Sequence, residues 1–537
     1  MIFTIDQNSH SLWDTLPKLQ ALAAAGYRVT HFVEDVDVAF TALGSGRKTQ
    51  NLRLAAERFH HSGGSDWGAA LFYHDFLGRQ PLELRRLEPQ LGMSIAALAR
   101  RLQTTLEDLY AEYSTSDNHI LVGPSYAGDR NHHRLIGDLS LAETDEFLRQ
   151  IIRHAEQNCL HAFPDPDARE RTREWFAQER CRLERLAAEV RPTMLVGLYK
   201  AWLGGHVPQP VRLDLTGSLF SLERDDPPTE LLELFIRRYD LAAGLYNRAV
   251  AETHLGLHPL RIGRGELPAF AVLRFNNHLV RTGMSLQEGR LILGEREYAL
   301  APGGALPLDA LRRDGVLAIV GKAIAMVLQA RIGPGGRPLA LPHLGSSYMP
   351  AAHRFAALLR EHDLLPGSLA PLLRVRLRLL DHLGQLESTI RLPPYLAGQL
   401  GADEIPARRL GREYRDVIRA AEARLADLAD DARRAAWLHT AFPRQTREIE
   451  ELESQKRRLA QCNPHDPRTH ELWKQVKALQ TERLAGLLRQ VVVDVQTSHL
   501  EFWDSRGAIL PWSIALGGRE FYRRLIREAE ITEETHR

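Results

Sequence analysis

The sequence predicts an α/β fold with a parallel-sheet core, helical and β-ribbon insertions, and a helical hairpin near the C-terminus. Three observations carry this. The chain opens strand–helix–strand within its first 33 residues. Residues 268–300 alternate apolar and polar around FNNHL, LQEGR and GEREY, the pattern of a β-ribbon. From about Leu410 the texture turns into long, highly charged runs at helical spacing.

Residues 1–5 form a short apolar run, and Ser11 with Asp14 three positions later has the spacing of a capping box. The helix it starts runs to about Ala25, where Gly26 ends it, and YRVTHFV supplies the second strand. Two strands joined by a single amphipathic helix predict parallel pairing of the Rossmann-like kind. Helical periodicity dominates about 51–116 and 140–190, which are assigned as helical insertions. Between them, HILVGPSYAGDRNHHRLIGDL predicts a strand followed by a polar loop. The stretches 191–205 and 211–222 predict a return to the sheet. A helix is expected around VGKAIAMVLQARI, then the strand RPLALP, then a helix capped by Ser346 or Ser347 with Pro350 in its first turn. Two long helices joined at NPHDP predict an antiparallel coiled-coil hairpin, with Pro443 as a kink point in the first. The expected organisation is therefore a Rossmann-like core over 1–405, the hairpin over 406–505, and a tail over 506–537 that docks back on the core.

A chain of 537 residues exceeds one compact core, and 44% hydrophobic with 26% charged residues describes an ordinary globular protein. A net charge of +1 gives no electrostatic reason to expect nucleic acid or an anionic membrane as partner. Cys159, Cys181 and Cys462 form no CxxC or metal-binding spacing. With no leader pattern and no spanning apolar run, a cytoplasmic location is expected. Arginine so dominates the basic residues that Lys18, Lys48, Lys200 and Lys322 are the only lysines before the C-terminal helices.

In parallel sheets, ligands collect outside the carboxyl ends of the strands. Both early strands end in polar clusters, FTIDQNSHSLWD (3–14) and VEDVD (33–37), so the two are expected to line one crevice. Glu34, Asp35 and Asp37 are candidate catalytic groups, since carboxylates at a strand end can accept a proton or orient an amine. The alternative is a solvated turn. Asp6, Gln7, Asn8 and His10 are candidate substrate-binding residues. GSGRKTQ (44–50) fails the P-loop pattern, which needs glycine where Arg47 and Ala42 stand, but a glycine-bearing turn still leaves Lys48 as a candidate anion contact. Lys322 and the hydroxyls of Ser346 and Ser347 in HLGSSYMP complete the anion-binding set. His132 and His133 are adjacent and point apart on regular backbone, so no metal site is expected.

Asp6-Gln7-Asn8 and Glu34-Asp35-Val36-Asp37 resemble motifs of the bacillithiol biosynthesis cysteine-adding enzyme family, whose first two strands end in Gly-Gln-Gln and Glu-Asp-His-Asp. The layout is similar over most of the chain, through HLGSSYMP and the long hairpin to the closing LP…GG-x-EF…L at Leu510–Leu525. The resemblance implies a ligase-like enzyme that joins cysteine to an amino-sugar conjugate and a coiled coil that pairs two protomers. It also implies that Gln7, Asn8, Glu34, Asp35 and Asp37 face the substrate. Asp6 replaces the family's glycine and Val36 its histidine, which implies another substrate or no catalysis. Two functions stay open: an enzyme coupling an amine or amino acid to a small polar acceptor, and a non-catalytic binding or assembly protein. Activation of a carboxyl group calls for ATP and Mg²⁺ or a preactivated donor, and the sequence carries no established ATP motif.

Overall fold

A computed structural model describes residues 1–5, 13, 15–37, 40–41, 84–106, 108–109, 123–124, 133–189, 194–253, 255, 257–322, 324–332, 336–346, 348–463, 465–504 and 509–534. Its centre is a six-stranded sheet. Strands β1 (Ile2–Ile5), β2 (Val29–Val33) and β3 (Arg212–Leu215) run parallel to one another. On the other side of β1 lie β9 (Leu339–Pro342) and β10 (Leu372–Arg376), also parallel, and an antiparallel edge strand β11 (Glu530–Glu534). The order across the sheet is β11-β10-β9-β1-β2-β3, so chain order reverses at β1.

Side chains alternate between sheet faces, and here both faces are covered, so β1 (IFTI) and β2 (VTHFV) carry no carboxylate, lysine or arginine. Ile2, Val29, Val33, Ala340 and Val375 enter one core, where helix α1 (Thr15–Ala24) adds Leu16, Leu19 and Leu22. Phe3, Ile5, Phe32, Leu339 and Leu341 enter the other. Gly26, at φ +85°, lets the chain leave α1 and enter β2. The second core is closed by an antiparallel sheet: β4 (Glu266–Phe275), β5 (His278–Gln287), β6 (Arg290–Leu293), β7 (Arg296–Ala299) and β8 (Val316–Gly321), in the order β7-β6-β5-β4-β8. The predicted ribbon is thus part of a six-stranded sheet: it starts two residues earlier, gains β8, and its β5 also pairs with the short strand His133–Arg134. The expected helix around VGKAIAMVLQARI is shorter, Ile324–Gln329, because its first residues finish β8.

The insertion at 140–190 is helical, as α3 (Leu141–Ala162) and α4 (Pro166–Glu189). Of the insertion at 51–116, residues 51–83, 107 and 110–116 lie outside the described residues, and Ile95–Leu102 forms α2. The stretch 191–205 corrects the sequence reading: Leu195–Gly204 is helix α5, not strand, and buries Leu195, Leu198, Tyr199 and Trp202 at helical spacing. Helices α6 (Glu230–Arg237) and α7 (Tyr239–Thr253) follow β3, and α8 (Met349–Glu361) follows β9. Phe355 of α8 is fully buried, its ring 5.9 Å from Phe235 and 5.4 Å from Tyr246.

The expected first long helix of the hairpin is three helices, α9 (Ala407–Ala429), α10 (Asp431–Ala441) and α11 (Pro443–Cys462). Asp430 makes the first break by capping α10, its carboxylate accepting from the backbone N–H groups of Ala432 and Arg433. Pro443, with no N–H to donate, opens α11 rather than kinking a continuous helix. Asp466 and Pro467 then start the 32-residue α12 (Pro467–Ser498), which packs on α9 and α11. Finally α13 (Ile509–Arg527) lies against α1 and α4, and Tyr522 donates to Gln20 Oε1 at 2.7 Å. No helix of the described residues is long and apolar enough to cross a membrane.

Candidate functional site

The carboxyl end of β2 carries Glu34, Asp35 and Asp37, all buried, and their partners give them different work. Glu34 bends back over its own turn: Oε1 accepts from the N–H of Val36 at 2.8 Å and of Asp37 at 3.0 Å. That arrangement shapes the loop and occupies one carboxylate oxygen. Asp37 forms an ion pair with Arg281 of β5, Nη1 to Oδ1 at 2.8 Å, while the guanidinium also lies 4.6 Å from the Phe270 ring centroid. Both partners are nearly enclosed, so the pair is screened little by solvent.

Among the described residues, Asp35 has no such cation within ion-pair distance. Its Oδ1 accepts from the N–H of Gly217, 2.7 Å away, just after β3, and it is 7% exposed. Burial pushes its carboxyl from 3.8 up to about 6; Asp214 adds to the rise, while the Gly217 N–H and Lys200 oppose it. A carboxylate that titrates near neutrality can take and return a proton at physiological pH. Two glycines make room for this loop. A Cβ on Gly217 would sit 2.9 Å from Asp35 Oδ2, and one on Gly137 would sit 2.7 Å from the Asp35 carbonyl oxygen. Gly137 N–H donates to that carbonyl and Ile136 N–H to the carbonyl of Asp37, clamping the loop from a second segment. Asp138, one residue on, receives His278 Nδ1 at 2.7 Å, the N–H of Leu279 at 2.8 Å and the Arg134 guanidinium. The antiparallel sheet therefore braces the β2 loop twice, through Arg281 and through Asp138.

Across the reversal at β1, the carboxyl ends of β9 and β10 carry His343 and Arg376. Arg376 donates to Glu501 Oε1 at 2.9 Å and to Asp504 Oδ2 at 3.2 Å from both Nε and Nη2. Asp504 is fully buried and accepts from the Leu380 N–H at 2.9 Å; burial lifts its carboxyl to about 6. His343 Nε2 lies 3.9 Å from Glu501 Oε2, and burial, with the nearby Arg376 charge, lowers its pKa, so the imidazole is neutral at pH 7.

The structure therefore places the three β2 carboxylates together, and of the rest of the sequence-based set it describes Lys322 and Ser346. Lys322 is in the antiparallel sheet's neighbourhood, its Nζ 3.5 Å from Glu266 Oε1. Ser346 follows β9 with φ +62°, and its carbonyl accepts from Met349 N–H. It is not the expected helix cap, since α8 is entered through Tyr348 without a side-chain cap. Asp6, Gln7, Asn8, His10, Lys48 and Ser347, with the capping pair Ser11 and Asp14, lie outside the described residues. Sequence reasoning missed Arg281, Gly217, Asp138, His343, Arg376 and Asp504. His343 had a signal, as the first residue of HLGSSYMP after an apolar strand; the others are brought in by tertiary contacts. Among the described residues, no cluster of three or more His, Cys, Asp or Glu could hold a metal ion. No protein-family model and no curated protein matches the chain.

Proposed function

We propose that the core is Rossmann-like and that the chain is a ligase-like enzyme, joining an amine or amino acid to a small polar acceptor at the carboxyl ends of β1, β2 and β9. The observation that carries this reading is Asp35: a buried carboxyl at a strand end, pushed up to about 6 and paired, among the described residues, with a backbone N–H rather than a guanidinium. The chain-order reversal at β1 supports the location, because open parallel sheets bind ligands where such a reversal parts the loops. In this reading Asp35 takes the proton of the incoming ammonium or thiol, while Glu34 and Asp37 hold the loop that presents it. Activation of a carboxyl group is chemistry that ATP with Mg²⁺ supplies when bound. The resemblance of VEDVD and the early polar turn to the cysteine-adding family makes cysteine and an amino-sugar conjugate the first substrates to try.

The test is a thermal-shift panel on the full chain with cysteine, other amino acids, glucosaminyl-malate, ATP, ADP and Mg²⁺, singly and combined. A ligand at about a hundred times its Kd stabilises by roughly 2.7 kcal/mol, a readily visible shift. Stabilisation by cysteine or the conjugate, with product formation lost in Asp35→Asn, supports the ligase reading. Turnover retained in Asp35→Asn removes that carboxylate from the mechanism.

A second reading rests on a specific observation: two of the three carboxylates are committed to structural contacts. In that reading the crevice only binds a small molecule, and the hairpin, as an antiparallel coiled coil, assembles two copies. Light scattering that gives the mass of one chain, 60.7 kDa, rules out the homodimer of either reading.

A further inference from the structure

Away from the β2 loop, a groove of about 720 Å³ lies between α2 and the hairpin helices α10, α11 and α12. Arg101, Lys456, Lys477 and Arg483 converge on it from three helices, and Arg434 reaches it from α10. Arg434 is paired, with Asp431. The other four have no carboxylate within ion-pair distance among the described residues. This stands apart from the arginines elsewhere in the fold: Arg281, Arg376, Arg374 and Arg424 each face a carboxylate at 3.2 Å or less. Arg483 adds a second observation. Its Nε is buried with no hydrogen-bond acceptor among the described residues, and an orphaned buried donor is unfavourable until a ligand supplies one. Among the described residues, Glu453 is the single carboxylate in the lining, against five cations.

The floor is apolar, made by Leu91, Leu438, Val476 and Leu487. Trp473 at the rim is 44% exposed, the most exposed large aromatic among the described residues. Its ring is already stacked on His470, with centroids 5.7 Å apart and planes 15° apart, and carries the Lys477 ammonium 5.0 Å from its centroid. The ring is thus engaged, which makes it a poor platform for a nucleobase. A lone phosphate would satisfy the cations but leave the floor wet. A helical or extended segment with aliphatic side chains on one face and carboxylates along both margins uses all of it.

We infer that this groove is a docking site for an acidic, amphipathic segment of a partner protein. Its apolar side chains fill the floor, and its carboxylates meet Arg101 on one wall and Lys456, Lys477 and Arg483 on the other. The excess of cations over carboxylates in the lining, with Glu450 acting on Arg483 from outside it, also raises the association rate for such a partner and makes binding sensitive to salt.

The experiment selects peptides of about 16 residues from a displayed random library on the full-length protein. It then measures the winners by fluorescence anisotropy against wild type, Lys456→Glu/Lys477→Glu and Arg101→Glu. These are helix-surface positions, and a melting curve for each variant confirms folding. The expected winners combine Asp or Glu with Leu, Ile or Phe. Their affinity should fall at least about tenfold in each charge-reversed protein and weaken as salt rises. Winners without acidic enrichment, or bound equally by the reversed proteins, overturn the inference. Pyrophosphate or a labelled single-stranded oligonucleotide serves as the competing probe. Either of them binding wild type and not the reversed proteins, with no acidic peptide selected, overturns it in favour of a phosphate site.

Discussion

Replacing Asp35 by Asn removes a charge from a buried site and keeps the shape of the side chain, whose Oδ1 can still accept from the Gly217 N–H. The native carboxyl titrates at about 6, against an ordinary value of 3.8. Below the lower value both folded and unfolded chains hold the proton, and Asp35 is as stabilising as it can be. Between the two values the unfolded chain releases its proton while the folded chain keeps it, so stability falls as pH rises through this window. Above about 6 the loss is complete. A gap of about two pH units at roughly 1.4 kcal/mol each amounts to about 3 kcal/mol. Asparagine has no proton to lose, so Asp35→Asn should match wild type near pH 4 and exceed its stability by up to about 3 kcal/mol near pH 8. Urea unfolding followed by tryptophan fluorescence, run at intervals across that range, reads the difference directly. A difference that does not change with pH, or a variant less stable than wild type at the alkaline end, refutes the assignment of a buried, strained carboxylate. Gain of stability with loss of turnover is also the signature expected of a group retained for chemistry rather than for folding.

Arg281→Met removes one half of an enclosed ion pair with Asp37 and should lower the unfolding free energy by about 3 kcal/mol in denaturant titration. Adding Asp37→Asn should recover part of that, and strictly additive effects in the double-mutant cycle would show the pair is not coupled. Gly137→Ala puts a methyl 2.7 Å from the Asp35 carbonyl oxygen, so about 1–3 kcal/mol of destabilisation is expected; an unchanged melting temperature would contradict the close packing of the loop. Phe355→Ala empties a fully buried aromatic site between Phe235 and Tyr246 and should cost about 3–5 kcal/mol, checked by the same unfolding assay.

The opening β-α-β unit is legible because a sheet covered on both faces leaves β1 and β2 as mostly apolar runs with no carboxylate, lysine or arginine, and Gly26 marks the turn between α1 and β2. The stretch around Trp202 was misread for the same reason in reverse: α5 is apolar nearly all round, and an apolar segment of ten residues reads equally well as strand or helix. The first arm of the hairpin looked continuous because charge periodicity runs through Asp430 and Phe442 without a change of composition, while the breaks depend on one cap and one missing N–H. The site shows where sequence reading stops. Glu34, Asp35 and Asp37 are three acids within four positions, and nothing local ranks them. Only the Glu34 contacts, two and three residues along the chain, are of a kind that a local reading could reach. Asp37 becomes an ion-pair partner because the register of β5 delivers Arg281 from 244 residues away. Asp35 becomes titratable near neutrality because β3 ends beside it with a glycine N–H and an aspartate rather than an arginine. The same tertiary arrangement that pairs Asp37 with a guanidinium leaves Asp35, among the described residues, with a backbone N–H and only the longer-range pull of Lys200, and that inequality, set by the packing of the antiparallel sheet against the core, is what separates a structural acid from a candidate base.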